Sequence, residues 1–114
     1  MTLDATLNTA LSAVLANTWS VELPPESTWP AIVFEIESEP EGTWVKGAER
    51  WQHVVSIDIM SRTKSEASSY LPQVRAAMET VTGYMAEEES GDAEYEGRPG
   101  VYGKYINFRI RTTS

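Results

Sequence analysis

Cysteine is absent from this sequence of 114 residues, and histidine occurs once, as His53. The absence of thiols excludes disulfides, cysteine-ligated zinc and thiol chemistry, and it is compatible with a reducing compartment such as the bacterial cytosol. No apolar run approaches the ~20 residues of a membrane span, and the first residues lack the basic start and apolar core of a signal peptide. We therefore expect a soluble, unprocessed protein that does not associate with a membrane.

The sequence also lacks the residue constellations on which common enzyme mechanisms depend. It contains no Gly-x-Ser-x-Gly elbow, no Walker pattern and no GxGxxG loop. His53 alternates with hydrophobic residues on a predicted strand, which favours a partly buried histidine whose hydrogen bonds are satisfied. Glu35, Glu37 and Asp58 could form carboxylate pairs for acid/base work or for a hard metal, but outward acids on strands are commonly solvated. We expect a protein that is not an enzyme and has no cofactor or metal.

Basic residues are few: the chain has nine lysines and arginines against 17 aspartates and glutamates, and its formal net charge is -8. A sequence-specific DNA binder normally carries the opposite sign, because phosphate contacts supply much of its affinity. The excess is local: residues 86–97 hold six acids and no base, and the rest of the chain balances 11 acids against nine bases. Glycine and proline at 91, 97, 99 and 100 predict that this acidic segment is a loop, within which residues 93–95 could form a short edge strand.

Apolar periodicity predicts one α+β domain. Hydrophobic residues recur at helical spacing in two segments and alternate in four others, as on strands that bury one face. We expect two layers, namely a mostly antiparallel sheet of about four strands with two helices packed on one face. In chain order the predicted elements are a helix at 3–15, strands at 18–23, 31–37 and 50–60, a helix between 63 and 83, and a strand at 102–111.

Short-range signals define the helix boundaries. Thr2 is a plausible N-cap of the first helix, and Thr63 with Glu66 matches a capping box at the start of the second. Pro72 lies inside the second apolar pattern and predicts a kink or break near residues 68–69, or a helix that begins near residue 69. Gly83 is a natural residue to end that helix.

The order and spacing of several segments resemble a known family. These segments are TWPAIVFEIES at 28–38, WQHVVSIDIMSRTKSEASSYLPQVRAAM at 51–78 and YGKYINFRIRTT at 102–113. Together with the first helix, they resemble the tail-terminator, or tail-completion, proteins of long-tailed bacteriophages. In that family a proline-led apolar strand precedes a V-x-I-D-I-x-S strand and a helix that opens with an acidic-Ala pair. The matching positions here are Pro30–Phe34, Val55–Ser61 and Glu66-Ala67.

The resemblance implies a structural virion protein made of one tail-terminator-like domain over residues 1–114. Members of the family assemble as rings, commonly hexamers, on the head-proximal end of the tail tube. The ring ends tube polymerisation, contacts the tail tube protein and the head-tail connector protein, and lets DNA pass through its lumen as cargo. The implied location is the tail neck of the virion, after assembly in the host bacterial cytoplasm.

Two surfaces are candidate interfaces of such a ring. The outward side of the last strand is basic and aromatic, so it could meet the acidic segment of a neighbouring subunit in a heterologous contact. Alternatively, the acidic segment could line the lumen and keep passing DNA from sticking. Residues 38–47 read as a long hairpin arm, whose Trp44 is the candidate for docking on the tube. The candidate interface residues are Trp44, Lys46, Glu87, Glu88, Glu89, Tyr105, Arg109 and Arg111.

Three other functions remain open at the level of sequence. A head-closure or connector protein would have the same composition. A small acidic inhibitor that mimics DNA is favoured by the net charge and disfavoured by its confinement to one segment. An enzyme subunit has no residue constellation to support it.

Overall fold

The computed structural model describes residues 2–21, 28–40, 50–94 and 100–113. They form a two-layer α+β fold in which helices pack on one face of a five-stranded mixed sheet, so the predicted fold class is confirmed with one strand more than expected. No helix within these ranges is long and apolar enough to cross a membrane. In chain order the elements are α1 (Leu3–Val14), β1 (Thr18–Ser20), β2 (Ala31–Pro40), β3 (Arg50–Ser61), α2 (Lys64–Ser69), α3 (Leu71–Glu79), β4 (Tyr84–Glu94) and β5 (Tyr102–Thr113).

The sheet has the strand order β1-β2-β3-β5-β4, with β3 at its centre. β3 pairs antiparallel with β2 and β5 along nearly all of its length, and Ile57 lies opposite Phe34 on one side and Ile106 on the other. β1 runs parallel to β2 and pairs only with Ile32–Phe34. β1 and β4 are therefore the two edges of the sheet.

The hydrophobic core lies between the sheet and the helices. Phe34, Ile57 and Phe108 are fully buried there against Leu7 and Leu11 of α1, as the alternation of apolar residues predicts. The intervening strand residues point to the opposite side of the sheet, which no described helix covers and which we call the open face. Along β2, β3 and β5 it carries Glu35, Glu37, Glu39, Val54, Ser56, Asp58, Tyr105, Asn107, Arg109 and Arg111.

Side-chain caps begin the helices where the sequence predicts. The Thr2 hydroxyl accepts a hydrogen bond from the Ala5 amide at 3.2 Å and caps α1. The Thr63 hydroxyl accepts from the Glu66 amide at 3.1 Å and caps α2. The Glu66 carboxylate accepts a hydrogen bond from the Ser61 hydroxyl, and this contact ties the start of α2 to the end of β3.

The predicted break in the second helical region is confirmed, one residue later than expected. α2 ends at Ser69 and α3 begins at Leu71, so Pro72 lies in the first turn of α3, where its missing N–H forfeits no helical hydrogen bond. α3 itself ends at Glu79. Gly83 is therefore not the residue that ends the helix; it has a φ of +91° and forms the turn into β4.

Residues 86–94 of the acidic segment are part of a strand, and the prediction of a loop there was wrong. The short edge strand expected at 93–95 is confirmed as far as Glu94, as the end of the longer β4. β4 pairs antiparallel with β5 from Tyr84, opposite Ile110, to Glu94, opposite Tyr102, with two register irregularities before Ser90. Strand formation is possible because basic residues of β5 and α3 lie beside the acids and reduce their mutual repulsion. The ion pairs are Arg109 with Glu88, Lys104 with Asp92 and Arg75 with Glu87. Residues 95–97 of the acidic segment lie outside the described residues.

Candidate functional site

The open face brings the basic side of β5 and the acids of β4 together within one subunit. The Arg109 guanidinium donates from Nε to the Glu88 carboxylate and from Nη1 to the Gln52 side-chain oxygen. The Tyr105 hydroxyl donates to Oε1 of Glu89 at 2.9 Å. The hydrogen bond to Glu88 raises the pKa of Arg109, and the hydrogen bond to Glu89 raises the pKa of Tyr105. These groups were expected to pair between neighbouring subunits, whereas here they are partnered inside the chain.

The side of β4 that faces the helices is also ion-paired. Arg75 of α3 donates from Nε to Oε1 of Glu87 at 2.7 Å. Lys104 of β5 pairs with Asp92, and this hydrogen bond lowers the pKa of the Asp92 carboxyl. β4 therefore presents several of its acids already neutralised, on both of its sides.

A row of acids without such partners runs along the open face of β2. Glu35, Glu37 and Glu39 are exposed and occupy alternate positions of the strand. Their partners across the ladder on β3 are Ser56, Val54 and Gln52, which carry no charge. Within the described residues none of the three forms an ion pair, although the charge of Glu39 is close enough to Arg109 to raise the pKa of that guanidinium. Most of the negative charge of this row is therefore uncompensated.

Asp58 adds a half-buried carboxyl to the same face. It lies on β3 between Val33 of β2 and Tyr105 of β5. Burial raises the pKa of Asp58, and the nearby charge of Glu35 raises it further. Among the described residues no three histidine, cysteine or acidic side chains are arranged to hold a metal ion.

His53 lies on the opposite face of β3 from Asp58, so the two do not form a catalytic pair. Its ring is buried and bridges two neighbouring strands, with 2.7 Å between Nδ1 and the Ser38 hydroxyl of β2 and 2.8 Å between Nε2 and the Thr112 hydroxyl of β5. Burial lowers the pKa of His53. The prediction of a buried histidine with satisfied hydrogen bonds is confirmed, and its role is to join three strands.

The two edges of the sheet expose large apolar side chains that the sequence did not single out. Trp19 of β1 is 40% exposed and Val21, which follows β1, is 63% exposed, while Met85 at the start of β4 is 42% exposed. The Trp19 indole N–H already donates to the Asn17 side-chain oxygen at 2.6 Å, so the ring offers mainly apolar surface. Sequence patterns give no signal for these sites, because exposure here depends on which strands lie at the edges.

Two of the predicted interface residues, Trp44 and Lys46, lie outside the described residues. The strands that lead to them, β2 and β3, are described as far as Pro40 and Arg50. Arg111 lies on the open face, as predicted, and its backbone N–H donates to the Gly83 carbonyl at 2.9 Å.

Comparison with known proteins assigns the family. A family model described as "Tail completion protein gp17" matches residues 4–113. Among solved structures, a chain of "Virion of native gene transfer agent (GTA) particle" is similar, with a TM-score of 0.66, 12% identity, and coverage of 98% of this chain and 95% of that chain; this likeness is one of fold. No curated protein matches the sequence significantly. The chain therefore belongs to the tail completion protein gp17 family, a family of structural proteins of the phage tail.

Proposed function

We propose that this protein assembles as a ring of identical subunits, a hexamer by the family resemblance, on the head-proximal end of the phage tail tube. The ring ends tube polymerisation and forms the joint to the head-tail connector protein, in the neck of a virion whose parts assemble in the host bacterial cytoplasm. The observation that carries this proposal is the match of residues 4–113 to the tail completion family. Such a protein acts through its shape and its contacts with other tail proteins, and it catalyses no reaction.

The shape of the sheet supports self-association. A ring needs a heterologous contact, in which one patch of a subunit meets a different patch of the next. The sheet ends in two unlike edges, the short β1 and the 11-residue β4, and the described molecule measures 52 × 25 × 24 Å. Elongated subunits with two unlike edges can pack side by side, each edge against the other edge of its neighbour, and so close into a ring.

The open face is the surface that we assign to the lumen. Acids outnumber bases among its described residues, with Glu35, Glu37, Glu39, Asp58, Glu88 and Glu89 against Arg50, Arg109 and Arg111. A negative wall repels the phosphates of passing DNA, which therefore moves as cargo without being bound. Trp44 and Lys46, which lie outside the described residues, are assigned to docking on the tail tube protein, because aromatic side chains are frequent interface anchors.

The competing role of a DNA-mimic inhibitor is favoured by the net charge of -8. A mimic needs free acids spread along a path that matches a DNA duplex. Among the described residues the exposed acids of β2 are free of ion pairs, but Glu87, Glu88 and Asp92 of the acidic segment are occupied by Arg75, Arg109 and Lys104 of the same chain. The family match also favours a tail component over a head-closure protein.

Light scattering and negative-stain microscopy of the purified protein, alone and with tail tubes, test the proposal. We expect a closed ring at one end of each tube, and tubes of uncontrolled length when the protein is left out. Absence of the protein from finished particles, or normal tails without it, would contradict the proposal.

A further inference from the structure

Exposed apolar side chains are found at both edges of the sheet, each in a strand segment that has no charged residue of its own. At the β1 edge the Asp4 carboxylate of α1 accepts a hydrogen bond from the Ser20 hydroxyl at 3.0 Å. On one edge, β1 and the residue after it present Trp19 and Val21. On the other edge, Met85 lies in the neutral stretch Tyr84–Ala86 with which β4 begins. Trp, Met and other large apolar residues are enriched at the centres of protein interfaces, where charged residues are depleted.

Charge separates these two stretches from the remaining edge surface. Beyond Ala86 the β4 edge carries residues 87–89 and Asp92, and beyond β1 the described part of β2 carries the exposed row Glu35, Glu37 and Glu39. Two acidic edge segments would repel one another if they met. Joining the β1 edge of one copy to the start of β4 of another brings apolar surface to apolar surface and avoids acid against acid. Unlike a contact between two like edges, this contact is heterologous and can continue around a ring.

We propose that the β1 edge, with Trp19 and Val21, docks on the Tyr84–Ala86 stretch of a second copy of this chain, with Met85 at the centre of the contact. This inference rests on the proposed function, because it names the surfaces through which the ring closes. The contact is heterologous: each subunit offers its β1 edge to one neighbour and its β4 edge to the other.

In the register of the sheet, the two apolar sites lie at different heights along the strands. Trp19 lies level with Val33, Asp58 and Tyr105, whereas Met85 lies level with Arg109 and Ile110. At about 3.3 Å per residue, the two apolar sites differ in height by roughly 15 Å along the strands. Neighbouring subunits therefore meet with their strands tilted relative to the ring axis, as strands tilt in a closed barrel.

The absence of cysteine from the chain makes a cross-linking test clean. We would make the double variant Val21→Cys/Met85→Cys and treat purified protein, and purified virions that carry it, with a short bifunctional thiol reagent. The matched control is Val21→Cys/Ala76→Cys, since Ala76 is exposed on α3 and belongs to neither proposed edge stretch. Circular dichroism and thermal unfolding verify that each variant folds.

We expect Val21→Cys/Met85→Cys to give a ladder of covalent multimers that ends at the full ring, while the control gives no species larger than a dimer. After cross-linking, each of the single variants Val21→Cys and Met85→Cys should give covalent monomers alone, and the two should give covalent dimers when mixed.

If a ring is present by microscopy but the double variant cross-links no better than the control, the edge contact is wrong and the proposed function stands. Efficient dimers from one single variant would also overturn it, because they indicate a symmetric contact. If neither protein nor virions contain a ring, both proposals fail.

Discussion

Gly83 lies so close to Arg111 that no side chain fits between them: a β-carbon at residue 83 would be 2.1 Å from the Arg111 carbonyl oxygen. The reverse contact is a hydrogen bond, since the Arg111 N–H donates to the Gly83 carbonyl at 2.9 Å. Gly83 also has a φ of +91°, a conformation that residues with a β-carbon rarely adopt. This turn aligns the start of β4 with the end of β5.

Gly83→Ala should therefore lower the free energy of unfolding by roughly 2–4 kcal/mol, the sum of backbone strain and overpacking. The control is Gly100→Ala, because Gly100 has a similar φ of +82° but, among the described residues, its β-carbon would meet only a side-chain nitrogen of Arg62 at 3.7 Å. That variant should lose only about 1 kcal/mol, the cost of the left-handed conformation. Urea unfolding of both variants measures the difference, and equal losses would contradict the role of the Arg111 contact.

The parts of this fold that follow from local pattern could be predicted from the sequence. Ile106, Phe108 and Ile110 are buried as their alternation requires, and the Thr2 and Thr63 caps begin the helices. β4 could not be predicted, because the basic residues that neutralise its acids are 12 to 21 residues away, on α3 and β5. The sequence shows that the acids of β4 repel one another. That basic residues of α3 and β5 neutralise them is visible only in the tertiary structure.

The candidate site was predictable to a smaller extent. The outward positions of Tyr105, Arg109 and Arg111 follow from strand periodicity, and the structure has them on the open face. The exposure of Trp19 and Met85 depends on strand order, because β4 lies outside β5 and so becomes an edge. Strand order is set by long-range pairing, which a single sequence does not encode in any local pattern.

His53 should make stability depend on pH near neutrality. Burial lowers its pKa from the usual 6.5, so the unfolded chain binds the proton more readily than the folded one and stability decreases as pH falls through and below 6.5. It is the only histidine in the chain, so His53→Gln should remove most of the change in urea midpoint between about pH 7.5 and about pH 5.5. If the variant keeps the same pH dependence, another group is responsible.

Asp58→Asn should stabilise the protein at neutral pH by less than about 1 kcal/mol, a typical size for charge interactions near a surface. Burial and the charge of Glu35 raise the pKa of Asp58, so its ionised form is disfavoured in the folded state. The folded chain holds this proton more tightly than the unfolded chain, and the stabilisation is lost as pH rises through the raised pKa. The gain in the variant should therefore disappear near about pH 3, where Asp58 is protonated. A gain that persists at that pH would contradict the electrostatic cause.

Pro72→Ala should change the free energy of unfolding by no more than about 1 kcal/mol, because Pro72 lies in the first turn of α3 and disrupts no helical hydrogen bond. Ala76→Pro is the control. It puts proline in the interior of the same helix at an exposed position and should cost about 3 kcal/mol or more. A stabilisation of several kcal/mol by Pro72→Ala would contradict this reasoning. It would mean that Pro72 strains a helix that otherwise runs continuously through α2 and α3.

The triple variant Glu35→Lys/Glu37→Lys/Glu39→Lys tests whether the open face lines the lumen. These side chains are exposed and have neutral partners across the ladder, so the variant should fold and form rings. Six units of charge change per subunit would turn a repulsive wall into one that attracts phosphates, and we expect DNA to leave the particle more slowly, most strongly at low salt.

Lysines on the outward side of α3, at Gln73, Ala76 and Glu79, provide the control and should leave DNA release unchanged. Release is followed by the fluorescence of a DNA-binding dye after particles are triggered. Equal rates for the triple variant and the native particle would show that the open face does not border the DNA path.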